Sequence, residues 1–301
     1  MRSRPPGPEL FGTVTQRRFW HGCRHRTGRS GGPDLATVGN AVPELPDVEA
    51  LRRYVAAHAT GRTIERVEAP GADVIRNTTP QGLGRALKGR RFSEPDRHGK
   101  WLLARTDGST VVMHFGMTGT LVWADDGAAR DDHDHVIFRC DRGELRFNLT
   151  RKFGGVWLAS DEREVGDVTG GLGPDALDLG RDDLADLLED RRGMLKSALM
   201  DQQLVAGIGN IVADEVLWHA CLHPRTAVGD LGEDDLDRLY EAMRIVLTES
   251  IDEGHVPRRD GWLTHARDIE DAACARCDAP IEHGRVASRS TYWCPRCQPR
   301  P

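Results

Sequence analysis

Cys274-Ala-Arg-Cys277, sixteen residues, then Cys294-Pro-Arg-Cys297 places two knuckles at the spacing of a four-thiolate tetrahedral site. One structural Zn2+ is expected there, on Cys274, Cys277, Cys294 and Cys297. The alternative, two disulfides, needs an oxidising compartment, and no secretory signal core is visible. Between the knuckles, Ile281 to Arg285 and Ser288 to Trp293 read as a hairpin with Arg289 near its turn or on a strand. A metal-stapled hairpin tipped with arginine is a compact device for reaching into a duplex. Cys140 and Cys221 lie among apolar residues and read as core thiols.

Toward the N-terminus the pattern is helical from Arg181 to Glu253, with Leu184, Leu187 and Leu188, then Leu195, Leu199 and Met200, then Leu236, Leu239, Met243, Val246 and Leu247. Gly207 and Gly209 form a tight turn between two helices, and the amides opening the next helix suit a phosphate. Asn210 stands at that helix start, and Arg192 and Lys196 read as four apart on one face of the preceding helix. Asp161 to Pro174 reads as a linker. Before it, short β-rich runs recur between turns: 101–103, 111–113, 121–123, 136–138, 145–147 and 156–158, as in a sandwich or barrel.

Pro43-Glu44-Leu45-Pro46-Asp47-Val48-Glu49 opens this folded part. Pro46, Asp47 and Glu49 suit a helix start, with Val48, Leu51 and Val55 at helical spacing. A chemical reading stands beside that one. An N-terminal proline is a secondary amine that is partly unprotonated at neutral pH, and it can attack a sugar's anomeric carbon and expel a base. The iminium left behind is cationic without a proton, and the neighbouring carboxyl can protonate the opening ring. Pro43 has this chemistry only if it is the first residue. The forty-two residues before it hold seven arginines, no lysine and two acids, with no apolar periodicity. A mis-set translation start is expected, Val42 being a possible alternative start codon; a cleaved targeting segment is the rival reading.

Residues 43–301 keep 34 basic against 45 acidic side chains, a net charge of −11 and the wrong sign for an obvious nucleic-acid binder. Local clustering matters more for phosphate: the tail from Cys274 carries five arginines against Asp278 and Glu282. No apolar run approaches membrane-spanning length, so a bacterial cytoplasmic, nucleoid-associated protein without membrane partners is expected.

Taken together, these segments resemble the bacterial formamidopyrimidine-DNA glycosylase and endonuclease VIII family, from Pro43 to Gln298. The carriers are Pro43 to Glu49, Gly99-Lys100-Trp101-Leu102, His114-Phe115-Gly116-Met117-Thr118-Gly119, Gly207 to Glu215, and Arg289 to Cys294 with Cys297-Gln298. The resemblance implies an α+β fold: an N-terminal catalytic β-sandwich (43–160), a linker (161–180), a helix-two-turn-helix domain (181–265) and a zinc finger (266–301). It implies a monomer acting on double-stranded damaged DNA as glycosylase and abasic-site lyase. Pro43 would be the nucleophile, Glu44 the acid, and Lys100 and Arg289 the cations assisting the eliminations. His133, Arg192, Lys196 and Asn210 would position the DNA backbone; Met117, Arg151 and Phe153 would fill the hole left by an extruded base.

Three departures bear on substrate. Asp47 stands where the family has glutamate, Leu149-Thr150 replace an Asp-Pro pair, and the segment 247–273 lacks a recognisable Gly-Ser-Thr loop. Weak action on 8-oxoguanine is expected. Two other classes stay open: a non-catalytic damaged-DNA-binding protein on the same fold, and a zinc-ribbon nucleic-acid-binding factor, which would leave Pro43-Glu44 and Lys100 unexplained.

Overall fold

Pro46 sits in the first turn of α1 (Leu45–His58), where a missing N–H is no loss. The computed structural model describes residues 42–151 and 153–300, so the expected leader lies outside the described residues but for Val42. The apolar face of α1 is shared between two cores: Leu45 packs among helices, while Val48, Leu51 and Val55 pack among strands.

The strands form two four-stranded antiparallel sheets. One holds β1 (Ile64–Glu68), β6 (Asp134–Cys140), β7 (Glu144–Leu149) and β5 (Gly119–Ala124) in that order; the other holds β2 (Asp96–His98), β3 (Trp101–Ala104), β4 (Thr110–His114) and β8 (Gly155–Ala159). Leu102, Met113 and Val156 of the second sheet meet Leu121, Phe138 and Phe147 of the first in one buried core, which makes a sandwich. The six apolar runs of the sequence fall in β3 to β8. β1 and β2 escaped notice because both are short edge strands, only partly buried and without an apolar run. A short helix, α2 (Pro80–Leu87), adds Leu83 and Leu87 to this core.

The segment read as a linker contains a helix, α3 (Glu162–Thr169). Asp161 accepts from Glu164 N at 2.9 Å, Glu164 Oε2 accepts from Ser160 N at 2.7 Å, and Gly170 ends the helix at φ 77°. One apolar stripe, Val165 and Val168, suffices because it covers Leu103, Val112, Trp101 and Trp157 on the outer face of the second sheet.

The second core gathers α4 (Arg181–Glu189), α5 (Leu195–Leu199), α6 (Asn210–His219) and α7 (Glu233–Glu253) around Leu188, Leu199, Val216, Met243 and Leu247. Arg192 and Lys196 do not share a helix. α4 ends at Glu189 and α5 begins at Leu195, so Arg192 is on the loop between, next to Gly193 at φ 101°. After α8 (Leu263–Ala266), β9 (Glu282–Val286) and β10 (Arg289–Trp293) make the hairpin. Its two-residue turn, Ala287-Ser288, has φ of 49° and 63°, the left-handed pair that a tight hairpin requires.

Candidate active site

Glu44 is almost fully buried, and its carboxylate lies across the start of α6, accepting from Ile211 N at 2.9 Å and Val212 N at 3.0 Å. Those are the amides expected to face a phosphate. The protein supplies its own anion instead, where unpaired N–H groups and the helix dipole favour negative charge. Both loop glycines are needed for this seat. A Cβ on Gly209 would overlap the Glu44 carboxyl, and one on Gly207, at φ 109°, would overlap Leu45, whose amide donates to Gly207 O at 3.1 Å. Pro43, the residue before Glu44, is also buried. In the 301-residue chain its nitrogen is the amide of Val42.

Lys100 follows Gly99, which turns at φ 56° between β2 and β3. A Cβ on Gly99 would come within 2.9 Å of Ala206 Cβ and 3.1 Å of Gly207 N, so this turn rests on the same loop as Glu44. Two buried charges clamp it. Asp175 accepts from Gly99 N at 2.7 Å, Arg97 donates to Gly99 O at 2.9 Å, and the two side chains pair at 2.6 Å. Burial holds the Lys100 ammonium below the usual lysine range; Glu44 and Asp47 oppose that shift, and Arg289 adds to it. Desolvation pushes the Asp47 carboxyl up to about 7, aided by the Glu44 charge and opposed by the Glu44 amide that donates to it at 2.9 Å. His114, half-buried, is pushed down to about 4 by desolvation and by the Lys100 charge, so it is neutral at pH 7. Glu44, Asp47, Lys100 and Arg289 thus share one electrostatic neighbourhood.

Arg289 opens β10 and is exposed. The next residues are gripped from below: Asn210 Nδ2 donates to Ser290 O at 3.0 Å, and Lys196 Nζ donates to Thr291 Oγ1 at 2.7 Å and to Ser290 O at 3.3 Å. Lys196 is 0% exposed and also pairs with Asp214 at 2.6 Å. It therefore does not face a DNA backbone as expected; α5 runs beneath the hairpin, and the desolvated ammonium spends its donors on that strand and on Asp214. Asn210 likewise ties the hairpin to α6.

Met117, Arg151 and Phe153 come together on two loops. A Cβ on Gly116, at φ 58°, would stand 2.5 Å from Gly154 N, and Thr118 Oγ1 accepts from Arg151 N at 3.1 Å and from Thr150 Oγ1 at 2.7 Å. Met117 is 37% and Phe153 70% exposed, large apolar side chains left in water. His133 lies beside them in an exposed turn, its carbonyl accepting from Leu149 N at 3.0 Å. Arg192 is exposed on its loop.

The four cysteines of the finger converge, all sulfurs within 4.8 Å of one another and none in a disulfide. Sγ separations of 3.8 Å for Cys274–Cys297 and 3.5 Å for Cys277–Cys294 and Cys277–Cys297 match a tetrahedron with zinc–sulfur bonds of about 2.3 Å, whose edge is about 3.8 Å. Arg276 N and Cys297 N approach Cys274 Sγ and Cys294 Sγ at 3.5 and 3.4 Å, which orients the thiolates. The donor set fits one structural Zn2+. Sequence reading missed Arg97, Asp175 and Asp214. Asp175 lay in the supposed linker, and the one signal for Asp214 was an acid inside the apolar run Ile211 to Leu217.

Comparison with known proteins follows the same division. Residues 42–156 match the formamidopyrimidine-DNA glycosylase N-terminal domain, 171–259 the formamidopyrimidine-DNA glycosylase H2TH domain, and 273–300 the zinc finger found in FPG and IleRS. The formamidopyrimidine-DNA glycosylase of Chloroflexus aurantiacus is 38% identical over 271 residues, covering 85% of this chain and 98% of that protein. That of Herpetosiphon aurantiacus is 35% identical over 278 residues, covering 85% and 100%. Among solved structures, Lactococcus lactis Fpg bound to abasic-site DNA superposes with a TM-score of 0.78 at 29% identity, over 86% of this chain and all of that one. The same enzyme on DNA containing an oxidised pyrimidine gives 0.79. Relatives matched over essentially their whole length, together with the shared sandwich, helical core and four-cysteine finger, make this chain a member of the formamidopyrimidine-DNA glycosylase family.

Proposed function

We propose that this protein is a bifunctional DNA glycosylase and abasic-site lyase of base excision repair, acting as a monomer on double-stranded DNA with oxidised or ring-opened bases. The observation that carries the reading is the convergence of Glu44, the residue after Pro43, and of the Gly99-Lys100 turn on one loop, Ala206 to Gly209, although they come from distant parts of the chain. In this scheme the Pro43 amine attacks C1′, the base departs and takes up a proton, and Glu44 delivers a proton to O4′ as the ring opens. The iminium acidifies C2′, whose proton is lost as the 3′ phosphate leaves; a second elimination then releases the 5′ phosphate. Lys100 and Arg289 stabilise the departing phosphates. Met117, Arg151 and Phe153 enter the stack where the base left, and His133 and Arg192 hold the backbone. Catalysis belongs to the sandwich, 43–160, duplex binding to the helical part, 181–265, and the finger, 266–301. A bacterial cytoplasmic location accords with the bacterial relatives and with the absence, among the described residues, of any helix long and apolar enough to cross a membrane.

The active form begins at Pro43. Relatives covered to 98–100% of their length leave about a seventh of this chain without a counterpart, and the family match starts at residue 42. A chain started at Met-Pro43, with the methionine removed, is expected to cleave abasic sites and to be trapped on DNA by borohydride, whereas the 301-residue chain binds without cleaving, because an amide nitrogen has lost its lone pair to resonance. Equal trapping of both forms, with the bond after Val42 intact, would refute this. From the end of α7 at Glu253 to the start of β9 at Glu282 the chain holds one short helix, α8, and no Gly-Ser-Thr loop to close over a base. Single-turnover excision by the Pro43 form is therefore expected to be slower on 8-oxoguanine opposite cytosine than on ring-opened purines or oxidised pyrimidines, a ranking that faster 8-oxoguanine removal would reverse.

A further inference from the structure

Helix α6 holds several parts of the molecule within its first two turns. Its amides at Ile211 and Val212 hold Glu44, Asn210 holds Ser290 O, and Glu215 accepts from Leu263 N and Thr264 N at 3.0 and 2.9 Å. Between them stands Asp214, 2% exposed. Its carboxylate meets Lys196 Nζ at 2.6 Å, an Arg267 guanidinium nitrogen at 2.8 Å and the backbone amide of Tyr292 at 3.3 Å. Lys196 continues the tie to Thr291 Oγ1 and Ser290 O, and Arg267 lies over the Tyr292 ring at 4.6 Å. Asp214 therefore binds β10 three ways: directly at Tyr292 N, through Lys196, and through Arg267. The strand so held begins at Arg289.

We infer that Asp214 is the positioning residue of the arginine hairpin, fixing Arg289 to the same helix whose first amides fix Glu44. The physical reason is the charge balance of the cluster. Two cations converge on one buried carboxylate; without it, Lys196 and Arg267 repel each other in a desolvated space, and the strand they hold must shift to readmit water. A displacement of about 1 Å at the base of the hairpin is enough to misplace a guanidinium that must meet a phosphate. The sandwich and the four cysteines lie outside the cluster, so the loss is expected to be one of placement, with the metal still bound.

The inference rests on the proposed function only in that Arg289 meets DNA, so binding tests it apart from catalysis. The 301-residue chain is titrated with a duplex carrying the uncleavable tetrahydrofuran analogue of an abasic site, beside the Asp214→Asn, Asp214→Glu and Arg289→Ala variants and the double variant, with zinc content measured for each. Asp214→Asn is expected to weaken binding about 10-fold, Asp214→Glu to recover to within about 3-fold of wild type, and the double variant to bind no more weakly than Arg289→Ala alone. Additive losses, or full affinity in Asp214→Asn, overturn the inference. If Asp214→Asn loses zinc, Arg267→Gln decides, since it leaves the Lys196–Asp214 pair whole: a loss of about 3-fold that vanishes in the Arg289→Ala background supports the inference, and an unchanged or additive result overturns it. A wild type that does not bind the analogue duplex refutes the proposed function and this inference with it. One that binds, but does not cleave when started at Pro43, refutes the lyase reading alone.

Discussion

The seat of Pro43 and Glu44 and the loops bearing Met117, Arg151 and Phe153 solve opposite problems. In the seat, charges are buried and answered: Glu44 by two amides, Asp175 by Arg97 and Gly99 N, Lys196 by Asp214 and two β10 oxygens. On the loops, two large apolar side chains stand in water while the backbone beneath them is tied down by Thr118 and by close glycine contacts. The first region is complete in the free protein, and its burial of charge serves geometry more than stability, since a buried ion pair contributes little net free energy. The second leaves Met117 and Phe153 open to solvent.

Breaking the seat should have the largest effect. Gly209→Ala puts a methyl group into the Glu44 carboxyl, which must leave the α6 amides or push the loop aside. The Pro43 form is expected to lose roughly 100-fold or more in abasic-site cleavage, and about 1–3 kcal/mol of stability, from overpacking a dense site. Cleavage kinetics with a melting curve test this, and a normally active variant would show that the contact with α6 is dispensable.

Removing part of the proposed wedge should separate binding from stability. With Phe153 at 70% exposure, Phe153→Ala is expected to change unfolding free energy by less than about 0.5 kcal/mol while weakening binding to an abasic-analogue duplex roughly 10-fold. A stability loss as large as the affinity loss would place Phe153 with the core instead of with the DNA.

The smallest expected effect is a pH dependence inside the seat. The Asp47 carboxyl sits at about 7 in the folded protein, above its ordinary value, so the fold favours its protonated form. The stability this group contributes is full below the unfolded value of about 4 and is lost as pH rises to about 7, with no further change above. Asp47→Asn keeps an acceptor for the Glu44 amide and cannot ionise. Its stability relative to wild type should rise by about 1 kcal/mol between pH 4 and pH 8, a figure reduced for the partial exposure of the site, and paired melting curves would reveal it. A constant difference across that range would mean that Asp47 titrates normally.

Residues whose role is local were legible in the sequence. Cys274, Cys277, Cys294 and Cys297 declare themselves by spacing, and the runs at 101–103 through 156–158 declare strands because alternation and turn residues act within a few positions. β1 and β2 lacked that signal because edge strands bury little. α3 was misread as linker because its charged composition outweighed one short apolar stripe, although Asp161 and Glu164 spell a capping pair.

By itself the sequence determined the four-cysteine cluster, most of the strands and the helical half, and it singled out Pro43-Glu44 for the proposed reactive pair. Only the tertiary structure decided what surrounds each charge. Glu44 meets Ile211 across 167 positions of chain, and Lys196, which reads as a solvent-facing cation, is sealed under Ser290 and Thr291 more than ninety positions away. Periodicity and capping are short-range and can be read along the chain. Desolvation and ion pairing depend on whatever packs against a residue from far away in sequence, and no local pattern carries that information.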